Sequence, residues 1–176
     1  MNKIISCSIK GISPLLMHAY PMVKIENPEK LTIEEQAQLA EYRDPDTYFL
    51  YIPGINVQRS LIAAAVYSKG KGRSSLQKPV AACVMINPER ISLGISDYII
   101  DLRPVVIAAT KGRIVRARPR INDWSISFEI GYDPMLLKET ELRKIVDDAG
   151  SRVGLLDFRP SCNGPFGRFI VTEWEG

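Results

Sequence analysis

Several kinds of chemistry are excluded by residues that the sequence has little of. It holds one histidine and three widely spaced cysteines with no Cys-x-x-Cys pair, so neither a zinc site nor a disulfide framework can be assembled. Its apolar runs are short, such as residues 61–67, which argues against a transmembrane helix. The N-terminus lacks the apolar stretch and cleavage site of a secretory signal. We therefore expect a cytoplasmic protein with no membrane contact, no metal and no cofactor.

The composition that is present is typical of a globular protein. The chain has 176 residues, of which 45% are hydrophobic and 24% are charged. This length buries a sizeable core without metals or disulfides, and the balance of apolar and charged residues argues against wholesale disorder. We expect residues 1–176 to form a single domain.

The order of predicted elements indicates an α+β fold. Residues 2–11 alternate as a strand, and residues 56–67 have one apolar helical face with Asn56 as N-cap. Residues 112–121 and 124–132 read as a hairpin closed by Asn122 and Asp123, because the second arm alternates strictly. Asp133 and Pro134 predict a second buried helix, which ends at Gly150, and residues 168–174 a last strand. This order predicts a ferredoxin-like (RRM-like) βαββαβ fold with insertions at roughly 13–46 and 69–111.

The inserted segments carry minor elements and an uneven charge. Residues 34–42 predict a short helix with Thr32 as N-cap, and residues 80–86 a short strand. Residues 26–46 hold seven acids against two bases, whereas residues 102–122 hold six bases and no acid. Residues 69–78 add four bases, again without an acid: Lys69, Lys71, Arg73 and Lys78. The net charge of +3 therefore conceals basic stretches that attract a polyanion if the fold gathers them.

Three arginines of the first hairpin arm have a spacing suited to phosphates. Arg116, Arg118 and Arg120 alternate with apolar residues, so they share one face of a strand about 6–7 Å apart. With Arg113 they form a candidate nucleic-acid surface, since guanidinium groups bind phosphates bidentately. The alternative is that they pair with the acidic segment of residues 26–46. If the face is exposed, Arg116→Glu combined with Arg118→Glu abolishes nucleic-acid binding and leaves the fold intact.

Two further segments are candidates for contacting a ligand. Residues 154–168 combine glycines, which admit close backbone approach, with the candidate contacts Arg159, Asn163, Gly164, Gly167 and Arg168. In the same segment Phe158 or Phe166 could stack on a base. Residues 52–59 turn through Pro53 and Gly54 into a helix start with Asn56 and Arg59, an anion site by its free N–H groups. We expect these segments to meet, and Gly164→Val to weaken binding more than stability. The alternative is that residues 154–168 are only a rigid connection.

Candidates for catalysis are few. His18 follows the first strand closely and is the only imidazole available as a general acid or base. A single histidine beside leucine and methionine is more often a packing residue. Asp44 and Asp46 lie in the acidic segment, where carboxylates are usually solvated.

The sequence as a whole resembles the RAMP superfamily of CRISPR-associated proteins. The similarity rests on Ile52, Pro53 and Gly54 leading into a helix, on the basic hairpin, and on the glycine-rich segment 154–167 before the last strand. The sequence departs from the family pattern at the helix start, where Ile55 and Asn56 stand for the usual serines. Within the family it is most similar to the backbone subunit of effector complexes, which coats guide RNA. Some family members cleave RNA with an N-terminal histidine, and others with a loop aspartate.

The resemblance implies a function in antiviral defence as an RNA-binding module of a ribonucleoprotein. The implied partners are single-stranded RNA, with guide RNA as one candidate, and either copies of the same chain or other subunits. Two alternatives remain open. One is a small metal-independent endoribonuclease that uses His18, and the other is a structural or assembly protein that contacts only protein.

Overall fold

A computed structural model describes residues 3–22, 24–25, 30–70, 72, 74–106 and 111–176. Within these ranges the chain forms nine β-strands and four α-helices. The strands are β1 (Lys3–Gly11), β2 (Leu15–Leu16), β3 (Tyr51–Pro53), β4 (Met85–Asn87), β5 (Arg90–Ser92), β6 (Ile99–Val106), β7 (Arg113–Ile121), β8 (Ser125–Tyr132) and β9 (Phe169–Glu175). The helices are α1 (Ile33–Leu39), α2 (Gly54–Ala64), α3 (Gln77–Cys83) and α4 (Glu139–Asp148). The chain is therefore α+β, as the sequence predicts.

Three antiparallel sheets organise the strands. The largest has four strands in the order β4-β8-β1-β9, the second has the order β2-β7-β6, and β3 pairs with β5. In β1, Ile5, Cys7 and Ile9 are buried while their neighbours face outward. The same alternation buries Ile126 and Phe128 of β8. One face of the four-stranded sheet is therefore apolar, as period-2 patterning requires.

The helices α2 and α4 supply the other half of the core. Val57, Leu61 and Ala64 of α2 are buried, which confirms the predicted apolar face of this helix. Leu142 and Ile145 of α4 are buried as well. Together with the apolar side of the four-stranded sheet, these residues form one hydrophobic cluster. Burial on this scale is the main favourable term for folding.

The predicted hairpin of residues 112–132 is wrong. Strand β7 pairs with β2 and β6, whereas β8 pairs with β1 and β4 in the other sheet. The chain changes sheets between Ile121 and Ser125. At this point the Gly11 backbone N–H donates to the Trp124 carbonyl at 2.9 Å. The Trp124 indole lies where a Gly11 side chain would be and donates to the Ser13 carbonyl. Asn122 and Asp123 thus form a corner between two sheets.

The predicted insertion at residues 69–111 also differs from the structure, because part of this range belongs to the four-stranded sheet. It contains β4, an edge strand of the four-stranded sheet, while β7, the strand predicted for that place, lies outside this sheet. Residues 77–83, part of which the sequence predicts as a strand, are helix α3. Short helices of this kind depend on tertiary packing, here the burial of Val80.

The helix boundaries also differ from the predictions in three places. Helix α2 begins at Gly54 with Pro53 as N-cap, so Asn56 lies within the first turn. Helix α4 begins at Glu139, because Asp133 closes a separate turn by accepting from the Met135 N–H. A π turn, Ala149–Val153, follows α4 and passes through Gly150. The predicted N-cap Thr32 of α1 is confirmed, with its hydroxyl accepting from the Glu35 N–H.

Candidate nucleic-acid interface

The arginines of β7 share a face with acids that the sequence pattern did not reveal. Arg116 lies opposite Arg103 of β6, and Arg118 lies opposite Asp101. The Asp101 carboxylate accepts two bonds from the Arg103 guanidinium, at 2.6 and 3.0 Å, and lies 3.7 Å from Arg120. Arg120 also donates to Asn122. Much of the predicted row of cations is therefore neutralised within the protein.

Arg118 is a buried structural residue. It is 8% exposed, and its Nη1 lies 2.7 Å from Oδ2 of Asp157 in the glycine-rich segment. The predicted neutrality of Arg118→Glu for the fold is therefore wrong, because a glutamate would face Asp157 in a site with little water. Arg116, by contrast, is exposed and has no ion-pair partner among the residues that the structure describes. On this face of β7, Arg118 therefore has a structural role, whereas the Arg116 side chain is a free cation among the described residues.

His18 joins the same cluster from the segment after β2. Its Nδ1 lies 3.5 Å from Oδ2 of Asp157, and its side chain is 45% exposed. Burial alone would raise the pKa of the Asp157 carboxyl, but the hydrogen bond with His18 and the charge of Arg118 outweigh it and lower that pKa. Asp157 is therefore ionised at neutral pH, and its Oδ2 faces both the Arg118 guanidinium and the His18 imidazole.

A cleft of about 170 Å³ opens beside this cluster, which we call the polar cleft. Five polar residues line it: His18, Tyr42, Asn56, Asp157 and Arg159. Burial raises the pKa of the Tyr42 phenol, although the hydrogen bond with Asn56 opposes this shift. The phenol therefore stays neutral and can act as a hydrogen-bond donor at physiological pH.

The predicted meeting of the helix start with the glycine-rich segment is confirmed by this cleft. Asn56 comes from the first turn of α2, and Asp157 and Arg159 come from residues 154–168. The Ser60 hydroxyl of α2 donates to the Gly154 carbonyl at 2.9 Å, which fixes the two segments together. That they share a ligand stays a prediction.

The glycines of this segment serve close packing of the backbone. A Cβ on Gly164 would lie 1.8 Å from the Phe158 carbonyl oxygen, and one on Gly167 would lie 2.1 Å from the Leu155 carbonyl oxygen. Gly167 also has a φ of +70°, which disfavours any other residue. We therefore expect Gly164→Val to destabilise the fold, because the branched side chain collides with the segment itself. This argues against the prediction that the change weakens binding more than stability.

The other predicted contact residues either brace the glycine-rich segment or lie exposed elsewhere on the described surface. Arg159 donates to the Ser161 hydroxyl and the Leu156 carbonyl, and the Arg168 guanidinium donates to the Ser151 carbonyl. These two side chains therefore brace the segment. Four others are exposed and show no such contact among the described residues: Arg59 on α2, Lys69 after α2, Asn163 at a left-handed turn and Arg113 at the start of β7. Lys71 and Arg73 lie outside the described residues.

The two phenylalanines of the segment are packed internally. Phe166 is 3% exposed, and the Arg103 guanidinium lies 4.7 Å from the centre of its ring. Phe158 contacts Phe166 at a centroid distance of 6.0 Å. The predicted stacking of Phe166 on a base is therefore wrong, because its ring faces an arginine of the same chain.

The open face of the four-stranded sheet is unsuited to stacking on bases. Within the described residues it carries small polar and acidic side chains, among them Ser6, Ser8, Ser127, Glu129 and Glu173, together with the exposed aliphatic side chains of Ile4 and Met85. RRM proteins bind RNA through aromatic residues at such positions. A nucleic-acid interface on this protein is better served by the polar cleft and the cations around it.

Sequence reasoning missed Asp101, Asp157 and Tyr42 as parts of the site. The sequence did contain a signal for Asp157, because it is the one acid within the basic, glycine-rich segment. Asp44 does not face the cleft, since its carboxylate accepts from the Asp46 and Thr47 N–H groups and pairs with Arg90. Asp44 therefore stabilises a turn.

Two features are absent from the described part of the chain. No helix there is long and apolar enough to cross a membrane. The same residues contain no group of three His, Cys, Asp or Glu side chains placed to hold a metal ion.

Comparison with known proteins identifies a similar fold. No protein-family model matches the chain, and no curated protein matches it. Among solved structures, it is similar to a chain in the cryo-EM structure of type III-B Cmr-beta bound to cognate target RNA. The TM-score is 0.60 at 13% sequence identity, and the match covers 99% of this chain. This chain spans 60% of the length of that chain.

Proposed function

We propose that this protein is an RNA-binding subunit of a CRISPR ribonucleoprotein of the RAMP type. The observation that carries the proposal is the polar cleft, where α2, the glycine-rich segment and His18 converge beside the free cation Arg116. The similarity to a chain of an RNA-bound complex over 99% of this chain supports it. So do the sequence motifs that resemble the RAMP superfamily.

The strand order supports a ferredoxin-like core for this subunit. Taking β1, α2, β4, β8, α4 and β9 in turn gives the order βαββαβ, with the four strands antiparallel in the order β4-β8-β1-β9. In this interpretation β2 and α1 belong to an insertion after β1, and β5 to β7 to an insertion between β4 and β8. We propose one domain over residues 1–176 on the same basis.

We propose that RNA crosses the polar cleft with its phosphates toward Arg116, Arg59 and Arg113. Asn56 and Tyr42 offer hydrogen-bonding groups at the cleft itself, and Arg159, Asn163 and Arg168 belong to the glycine-rich segment. Since the open face of the sheet carries no aromatic side chain among the described residues, binding depends on phosphate contacts and is steeply salt-dependent. A role as a backbone subunit that coats guide RNA, in an oligomer or with other subunits, is the finer form of the proposal.

Charge reversal at Arg116 tests the proposal. Because Arg116 is exposed and unpaired within the described residues, Arg116→Glu should weaken binding of single-stranded RNA several-fold without lowering the melting temperature. The matched control is Lys10→Glu, an exposed cation at the end of β1. Fluorescence polarisation with labelled RNA measures both variants. Equal affinity of wild type and Arg116→Glu would remove β7 from the interface. A wild type without affinity for RNA would favour a protein-only assembly role.

The pairing of His18 with Asp157 favours a second candidate, RNA cleavage without a metal. Nδ1 of His18 faces Asp157, so Nε2 is the nitrogen available to take a proton from a ribose 2′-hydroxyl. The hydroxyl oxygen would then attack the adjacent phosphorus, and the 5′-oxygen would leave with a proton, giving a 2′,3′-cyclic phosphate. Cleavage of labelled RNA in a chelator that disappears in His18→Ala would establish this activity. Intact RNA with the wild type would exclude it.

A further inference from the structure

A basic cleft, distinct from the polar cleft, lies beyond the C-terminal end of α2. Its volume is about 700 Å³, and lysines come from both of its walls: Lys69 and Lys78 on one side and Lys138 on the other. We call it the lysine cleft. Asn56 is in the first turn of α2, and Lys69 follows its last turn. An 11-residue helix is about 17 Å long, so the two clefts are separate sites.

Both walls of the lysine cleft are fixed by backbone hydrogen bonds. In the first wall the Leu76 N–H donates to the Ser68 carbonyl. In the second, the Leu137 N–H donates to the Asp133 carbonyl. The backbone of both walls is therefore fixed by the fold, and lysines from both walls line one space.

The charge in the lysine cleft is unbalanced. Lys69, Lys78 and Lys138 are exposed and have no acidic partner among the described residues. The one acid that lines the cleft is Glu141, and its carboxylate already accepts from the Lys138 backbone N–H at 3.0 Å. Three surface lysines beside a single acid leave a net positive charge, which attracts phosphate groups. As point charges they bind phosphate without reading geometry or sequence.

The floor of the cleft is apolar. Leu76 and Leu137 are buried beneath it, while Met135 is 87% exposed and Leu136 is 54% exposed at its edge. This arrangement offers contact surface for the faces of bases while the rim holds phosphates. We propose that the lysine cleft is a second contact for the backbone of the same single-stranded RNA, and that it recognises charge. The inference rests on the proposed function and extends it to a site on the far side of α2.

The salt dependence of RNA affinity tests this inference. The double variant Lys78→Gln with Lys138→Gln removes one cation from each wall. Its control is Lys3→Gln with Lys10→Gln, which removes two exposed lysines of β1. Each lost phosphate contact lowers the slope of log K against log salt by about 0.7 for single strands, so the cleft variant should lose about 1.4. The control should keep the wild-type slope.

The probes are oligouridine and oligoadenine long enough to cross the protein, measured by polarisation between about 50 and 200 mM salt. An equal loss of slope on both probes supports the inference. An unchanged slope in the cleft variant, with normal binding by wild type and control, overturns it and leaves the proposed function standing. A loss confined to one probe also overturns it, because the site would then read bases. No binding by wild type would overturn the proposed function itself.

Discussion

Removal of the Arg118 guanidinium should destabilise the fold more than it weakens RNA binding. Arg118 is 8% exposed and ties β7 to the glycine-rich segment through the 2.7 Å ion pair with Asp157. Arg118→Met keeps an unbranched apolar stem of similar length and takes away only the charged end. The Asp157 carboxylate is then left with His18, 3.5 Å away.

The expected cost follows from the burial of the pair. Breaking a fully buried ion pair by removing one partner costs about 3–5 kcal/mol. Because the Asp157 side chain is 30% exposed, water recovers part of this, and we expect a loss of about 2 kcal/mol in the free energy of unfolding. For a chain of this length that corresponds to a fall of about 4–8 °C in melting temperature.

Urea unfolding followed by circular dichroism measures this loss. Arg116→Met is the matched control, since Arg116 lies on the same face of β7 but is exposed, and a change of less than about 0.5 kcal/mol is expected for it. RNA affinity should show the reverse order, with the larger loss in Arg116→Met. The free energy of unfolding of Arg118→Met could instead lie within about 0.5 kcal/mol of the wild-type value, which is the usual effect of a surface substitution. In that case the ion pair does not hold the glycine-rich segment against β7.

Two further predictions concern the glycine-rich segment. Gly164→Ala should cost about 1–3 kcal/mol in urea unfolding, because its Cβ would lie 1.8 Å from the Phe158 carbonyl oxygen, and a wild-type midpoint would contradict this. The lowered pKa of Asp157 contributes stability that is present above the carboxyl's unfolded value near 4 and lost as the pH falls through the lower folded value. The urea midpoints of wild type and Asp157→Asn should therefore converge as the pH falls through that range. If the two plots of midpoint against pH stay parallel, Asp157 is not the titrating group.

Much of the fold is predictable because burial imposes a period on the sequence. The alternation in β1 and β8 identifies both strands, and the apolar positions of α2 and α4 identify the helix faces. These patterns are local. The pairing of β7 is not, because an alternating strand carries no information about which neighbour it joins.

A local signal against the predicted hairpin was nevertheless present. Pro119 lies within β7 and Pro104 within β6, and proline cannot donate a ladder hydrogen bond in a sheet interior. Both strands indeed lie in the small sheet with β2, which pairs only at Ile121 and Arg120. Gly11 likewise marks the place where the Trp124 indole must fit.

The sequence was sufficient to predict which segments form the candidate site. It was not sufficient to predict which side chains pair with one another there. Asn56, Arg159 and His18 were each singled out from the sequence, and the structure brings them to one cleft. The partners that decide their roles come from distant positions, since Asp157 lies 39 residues beyond Arg118 in the chain. Spacing within a strand therefore could not separate the buried Arg118 from the free Arg116.

Photo-crosslinking tests the central claim that RNA binds at the polar cleft. RNA containing 4-thiouridine is irradiated with the protein, and the crosslinked peptides are mapped by mass spectrometry. We predict crosslinks in residues 154–168, in the first turn of α2 and in β7. Crosslinks confined to the open face of the four-stranded sheet, around Ser8 and Ser127, would contradict the proposed interface.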